Sequence, residues 1–95
     1  MIMSLQLLIE NMSKVSDKVI LYGSSARGED RADSDIDLFI QAENAEEVME
    51  EIQKFRSKRK IQEKIMGAVD LSKMKDKDRV FYDEVMRGIV LWEKK

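Results

Sequence analysis

Apolar positions change period several times along this chain, and each change marks an element. Ile2, Leu5, Leu8, Ile9 and Met12 recur at three- and four-residue steps, which predicts an amphipathic helix over residues 2–14. Lys18-Val19-Ile20-Leu21-Tyr22 is a short, β-prone apolar run ended by Gly23 and reads as a buried strand. Residues 24–34 are small and polar; the first few suit a helical turn and the rest a loop. Asp35 to Ile40 alternates as a second strand, with Ile36, Leu38 and Ile40 on one face and Asp35, Asp37 and Phe39 on the other. Asn44 is placed to cap a helix from Ala45 to about Ser57, whose stripe is Val48, Met49, Ile52 and Phe55 and whose first turn holds Glu46 and Glu47.

The remaining third of the pattern is less regular. Ala68-Val69-Asp70-Leu71 is the best strand within residues 61–71, with Gly67 as a bulge or turn. Asp78 is placed to cap a last helix that ends near Arg87, with Gly88 as its left-handed stop, and Ile89-Val90-Leu91-Trp92 then forms a final short strand. The predicted order α-β-α-β-α-β-α-β implies an α/β (α+β) domain: a small mixed sheet of about four strands with helices packed mainly on one face.

Composition narrows the chemistry. Ninety-five residues suffice for one core and not for two. Charged residues reach 38%, but 17 basic and 19 acidic side chains leave a net charge of only −2. That balance supplies no basic field, which argues against direct nucleic-acid binding. Histidine and cysteine are both absent, so imidazole bases, thiolate nucleophiles and zinc sites built on them are excluded. A metal bound here takes oxygen ligands, as Mg²⁺ or Mn²⁺ does. No apolar run approaches the roughly 20 residues that cross a bilayer, and the start lacks a signal-peptide pattern, so a cytoplasmic protein without a membrane partner is expected.

Two short motifs carry the candidate chemistry. Gly23-Ser24 closes a strand: the glycine allows close approach and unusual dihedrals, and the serine offers a hydroxyl near free backbone N–H groups, a small phosphate cradle. Asp35 and Asp37, two apart on a strand, project from one face, and carboxylates held so close repel unless a proton or a cation lies between them. A divalent ion that also binds a triphosphate answers that repulsion, and if the two strands are neighbours, cradle and carboxylates meet at one end of the sheet. Plainer readings stand beside these: a strand-ending turn for Gly23-Ser24 and a solvated edge face for the aspartates. Arg27 is placed either to reach a β- or γ-phosphate or to pair with Glu29 or Asp30. The basic cluster Lys54, Arg56, Lys58, Arg59 and Lys60 reads as a solvated helix end rather than a nucleic-acid patch, and Phe81, Tyr82 and Trp92 as core or interface.

Leu21-Tyr22-Gly23-Ser24-Ser25-Ala26-Arg27-Gly28-Glu29, followed by Ser34-Asp35-Ile36-Asp37-Leu38, resembles the minimal nucleotidyltransferase (MNT) proteins of the DNA polymerase β-like nucleotidyltransferase superfamily. The likeness covers nearly the whole chain, so residues 1–95 are expected to be a single minimal nucleotidyltransferase domain with that fold. It implies that Gly23, Ser24, Ser25 and Arg27 form the nucleotide-binding set. It also implies that Asp35, Asp37 and Asp70 bind metal, in all two Mg²⁺ ions with Mn²⁺ as a substitute, and that a third carboxylate, Asp70, can deprotonate the attacking hydroxyl. ATP is then the substrate.

The same resemblance implies a partner, a HEPN-domain toxin encoded nearby, and a reaction in which AMP passes from ATP to a tyrosine of that toxin. An antitoxin enzyme is the first expectation. A binding module that neutralises its partner by contact, with catalysis weak or lost, is the alternative. A third, an enzyme acting on a small molecule, needs a second copy to complete an acceptor pocket.

Overall fold

The computed structural model describes residues 5–23, 36–56 and 61–94, with side chains for 7–23, 36–54 and 61–94. In chain order the elements are α1 (Leu5–Met12), β1 (Lys18–Tyr22), β2 (Ile36–Gln41), α2 (Ala45–Arg56), β3 (Ile61–Met66), α3 (Ala68–Lys77), α4 (Arg79–Met86) and β4 (Ile89–Glu93). The strands form one sheet in the order β3-β2-β1-β4. β1 is antiparallel to both β2 and β4, whereas β2 and β3 are parallel and are joined through α2, the crossover that parallel neighbours require. This is the mixed four-stranded α/β architecture that the chain's pattern implies.

The helices cover both faces of the sheet, which corrects the expectation that they pack mainly on one. On the first face Ile36, Leu38, Ile40, Val19 and Ile61 meet Leu8 and Met12 of α1 and Val48 and Ile52 of α2. On the second, Ile20 and Phe39 are buried with Met74 of α3 and Val85 of α4. Phe39 is the physical reason: a fully buried aromatic on the same face of β2 as Asp37 needs an apolar cover, and α3 with α4 supplies it.

A second correction concerns residues 61–71. The strand is Ile61–Met66, and Ala68-Val69-Asp70-Leu71 opens α3 instead. Gly67 stands in extended backbone at the N-cap, and the Leu71 amide already donates to its carbonyl at 3.0 Å. Polar residues hid the strand: in Ile61-Gln62-Glu63-Lys64-Ile65-Met66 only Ile61 and Ile65 of one face reach the first core. Leu71 and Met74, three apart, are the apolar pair that seats α3 on the second.

Predicted caps hold where a side chain makes them. Asn44 Oδ1 accepts from the amides of Glu46 and Glu47 at 3.0 and 3.3 Å, and Asp78 Oδ1 accepts from that of Phe81 at 3.2 Å. Gly88 differs from its expected role, since Gly23 alone among the described residues has positive φ. A Cβ at Gly88 would lie 2.3 Å from the Leu21 carbonyl oxygen, so this glycine lets the turn after α4 press against β1. The far end of β4 is held by Trp92, whose Nε1–H donates to the Ser16 carbonyl at 3.3 Å, while buried Ser16 donates its hydroxyl to the Met12 carbonyl at 2.5 Å.

These contacts separate two glycines. Gly88→Ala is expected to destabilise by about 1–3 kcal/mol through overpacking. Gly67→Ala, whose new methyl would meet nothing closer than 3.7 Å, should be neutral or slightly stabilising. Urea unfolding of the two variants checks the contrast.

Candidate functional site

The site begins where β1 ends. Tyr22 is in register with Asp37 across the antiparallel β1–β2 ladder, so the turn that leaves β1 passes directly beside the first residues of β2. Gly23 takes φ +70 there, and a Cβ on it would sit 2.7 Å from Asp37 Oδ2. A residue with a side chain would meet both the left-handed penalty and the carboxylate. The structure thus joins Gly23 to Asp37 at one end of the sheet. Ser24, Ser25, Arg27 and Asp35 lie outside the described residues, as do Lys58, Arg59 and Lys60 of the basic cluster and the side chain of Arg56. Lys54, its first member, pairs with Glu51 at 3.1 Å on α2.

Asp37 is half-buried and lines a cavity of about 520 Å³ between the second face of the sheet and the α3–α4 corner. Tyr22 and Phe81 form part of its wall and meet edge to face, with ring centroids 5.7 Å apart and planes at 86°. Burial pushes the Tyr22 phenol above its ordinary pKa, and the negative charges of Asp37 and Glu84 push it the same way. Tyr22 therefore stays neutral at physiological pH and adds no second charge beside the carboxylate. On the other side of Asp37 the parallel register places Gln62 of β3 directly alongside. Gln62, Lys64, Lys77, Asp78 and Phe81 all line the cavity. Sequence reasoning missed Gln62 and Lys64 as site residues because it placed the third strand several positions too late; with β3 at 61–66, strand alternation alone would have set both on the face of Asp37.

Asp70 lies elsewhere. It is exposed in the first turn of α3, which starts just beyond Met66, the β3 partner of Gln41 at the far end of β2. Asp37 and Gln41 are separated by four residue steps, about 13 Å of strand, and Asp70 is not part of the cavity wall. The return of α3 along the sheet brings Lys77 and Asp78 to the cavity instead. Among the described residues no three acidic side chains are grouped to hold a metal ion. The oxygen donors beside Asp37, including the Gln62 amide, nonetheless suit a hard cation rather than a soft one.

A mixed four-stranded sheet, with a glycine turn packed on a strand carboxylate at the rim of an open cavity, is consistent with a nucleotidyltransferase fold. The family model for polymerase beta nucleotidyltransferases matches residues 5–95, and the chain belongs to that family. Transfer of a nucleotidyl group is the general chemistry that membership assigns. Among curated proteins and among solved structures there is no significant match. Among the described residues no helix is long and apolar enough to cross a membrane.

Contact between Gly23 and Asp37 makes a measurable coupling. Gly23→Ala is expected to cost about 1–2 kcal/mol from the left-handed backbone, plus the collision with the carboxylate. Shortening the partner in the double variant Gly23→Ala/Asp37→Ala should relieve the collision, leaving a coupling of at least about 0.5 kcal/mol in a double-mutant cycle by urea unfolding. Strict additivity would contradict the contact.

Proposed function

We propose that this chain transfers AMP from ATP to a hydroxyl, with Mg²⁺, and that the hydroxyl is a tyrosine presented by a separate protein. The contact of Gly23 with Asp37 at the rim of a solvent-open cavity carries the reading: it sets a glycine turn beside a carboxylate, with room for an acceptor. Absence of histidine and cysteine from the whole sequence limits ligands and bases to oxygen and amines. Asp37, with Asp35 two positions before it, would hold the metal. When bound, Mg²⁺ would neutralise phosphate charge and polarise the α-phosphate.

In the reaction the acceptor oxygen forms a bond to the α-phosphorus as the bond from that phosphorus to the oxygen bridging to the β-phosphate breaks. Pyrophosphate leaves, and the hydroxyl proton passes to a carboxylate or to water. Gly23 and Ser24, with Ser25 and Arg27, would hold the departing phosphates. Tyr22, kept neutral by burial and by its acidic neighbours, would line the approach without repelling the triphosphate. Resemblance to the MNT proteins supports an antitoxin that silences a HEPN-domain toxin in the cytoplasm by this modification.

A second reading is neutralisation by contact alone. It is favoured by Gln62, an amide where an acid would strengthen the site, and by β4, an outer strand on which Ile89 and Val90 remain 50% and 48% exposed. Incubation of the chain with its HEPN partner, ATP and Mg²⁺ separates the two. The first reading expects the partner to gain the mass of one AMP on a tyrosine, with Asp35→Ala or Asp37→Ala slowing transfer by about 10³-fold, the several kcal/mol a metal site supplies. An unmodified partner that is still silenced by the doubly substituted chain would leave only the contact reading.

A further inference from the structure

We infer that α3 is a hinged cover over the cavity beside Asp37: it swings out as a unit on Gly67 and Asp78, and a nucleotide bound in the cavity holds it closed. The opening is a property of the fold by itself, while its coupling to a nucleotide rests on the transfer reading above and deepens it.

Among the described helices, α3 is the one least held by the body of the protein. Of its ten residues Met74 is buried and Leu71 half-buried, and the other eight are exposed, Val69 at 67%. By contrast α1 buries Leu8 and Met12, and α2 buries Val48 and Ile52, all at 1% exposure or less. α4 buries Val85 completely and adds Phe81 and Tyr82 to the second core. A helix takes most of its stability from such packing, so α3 is the helix whose release forfeits least. Its N-terminus is also the weakest: Gly67 offers no side chain to the first amides, whereas Asn44 and Asp78 cap α2 and α4.

Both ends of α3 join fixed points through residues that can turn. Before it, Met66 is held by the Ala42 amide, which donates to its carbonyl at 2.9 Å. Gly67 follows in extended backbone, with its nearest neighbours 3.7 Å from where a Cβ would stand, so rotation there meets little. After it, Asp78 leaves the helical region at φ −137, ψ 71 and caps α4 with its own side chain, so α4 keeps its start when α3 moves. Phe81 against the Tyr22 ring and Val85 in the second core anchor α4 to the sheet. Met74 and Lys77 are the share of the cavity wall that α3 supplies, together with Tyr22, Asp37 and Gln62 of the sheet. Met74 is also buried with Phe39, which makes the closed state the resting one. A ligand that fills the cavity touches Met74 and Lys77 only while α3 is seated, and that difference in contacts shifts the population toward closure.

The test is native-state amide hydrogen exchange on the full chain by NMR, alone and with Mg²⁺ and a non-cleavable α,β-methylene ATP. In the free chain the amides of α3 are expected to share one opening, with protection at least about tenfold below that of α2, while β3 and α4 stay protected. Leu71→Ala should lower the protection of α3 by about a further tenfold and leave α2 unchanged, whereas Gly67→Ser, which supplies a cap, should raise it about twofold. The analogue at about ten times its Kd should raise protection across α3 about tenfold. Protection of α3 equal to that of α2, exchange of α3 together with β3 and α4, or a Leu71→Ala variant that lowers α2 and α3 alike would each overturn the hinged cover. Analogue protection of β1 and β2 with α3 unchanged would overturn the closure and leave the transfer reading intact. An analogue that protects nothing, with α3 still opening ahead of α2, would count against the transfer reading and leave the opening in place.

Discussion

Everything in this small fold depends on β2 being buried from both sides while it carries a charge at its start. Ile36, Leu38 and Ile40 feed one core and Phe39 the other, each at or near complete burial. A strand so enclosed reads as continuous apolar sequence, and a carboxylate in it is costly unless it stands at an open end. Asp37 occupies that end. Its position is fixed by a ladder of apolar neighbours rather than by a flexible loop, and Gly23, free of a side chain, closes on it from β1. Rigidity of the core becomes precision of the carboxylate.

The second face turns the same strand into a site. A sheet covered on one side only would leave Phe39 in water and Asp37 on an open plain. The α3–α4 corner covers the aromatic and stops short of the acid, because Asp78 breaks the helical run at the point where the chain must turn. Its backbone leaves the helical region at φ −137, ψ 71, and its side chain restarts the next helix. Gly88 then lets the chain return close to β1 and add β4 at the sheet's other edge. The cavity is the gap left between a cover sized for Phe39 and a strand that extends two residues further, to Asp37.

How much of this could be read in the sequence follows from which side chains report their surroundings. β1, β2 and β4, and the helices α1 and α2, announced themselves through apolar period, and Asn44 and Asp78 through capping chemistry, since each signal is local. β3 did not: as an edge strand with solvent on its outer side it carries Gln62, Glu63 and Lys64 at its centre, which reads as loop. The neighbouring Ala68-Val69-Asp70-Leu71 looks β-prone, yet Val69 remains 67% exposed and the segment is the start of a helix. That placement put Asp70 on a strand, whereas it stands in the first turn of α3, and the parallel register with β2, a long-range property, sets Gln62 beside Asp37. The Gly23–Asp37 meeting was legible because both residues sit at the ends of strongly patterned strands.

That displacement bears on what this fold can do alone. A carboxylate beside Asp37 would raise the negative charge that a cation must balance and would offer a base for the attacking hydroxyl; an amide there does neither. In the proposed reaction, catalysis on such a frame would lean on position more than on proton transfer. Effective concentration from such positioning can supply a large share of a barrier without any general base. A phenolic hydroxyl also needs a base least, since its pKa near 10 lies several units below that of an alkyl alcohol. For the proposed transfer, a frame with Gln62 beside Asp37 would therefore be better matched to a phenolic acceptor than to serine or a sugar hydroxyl.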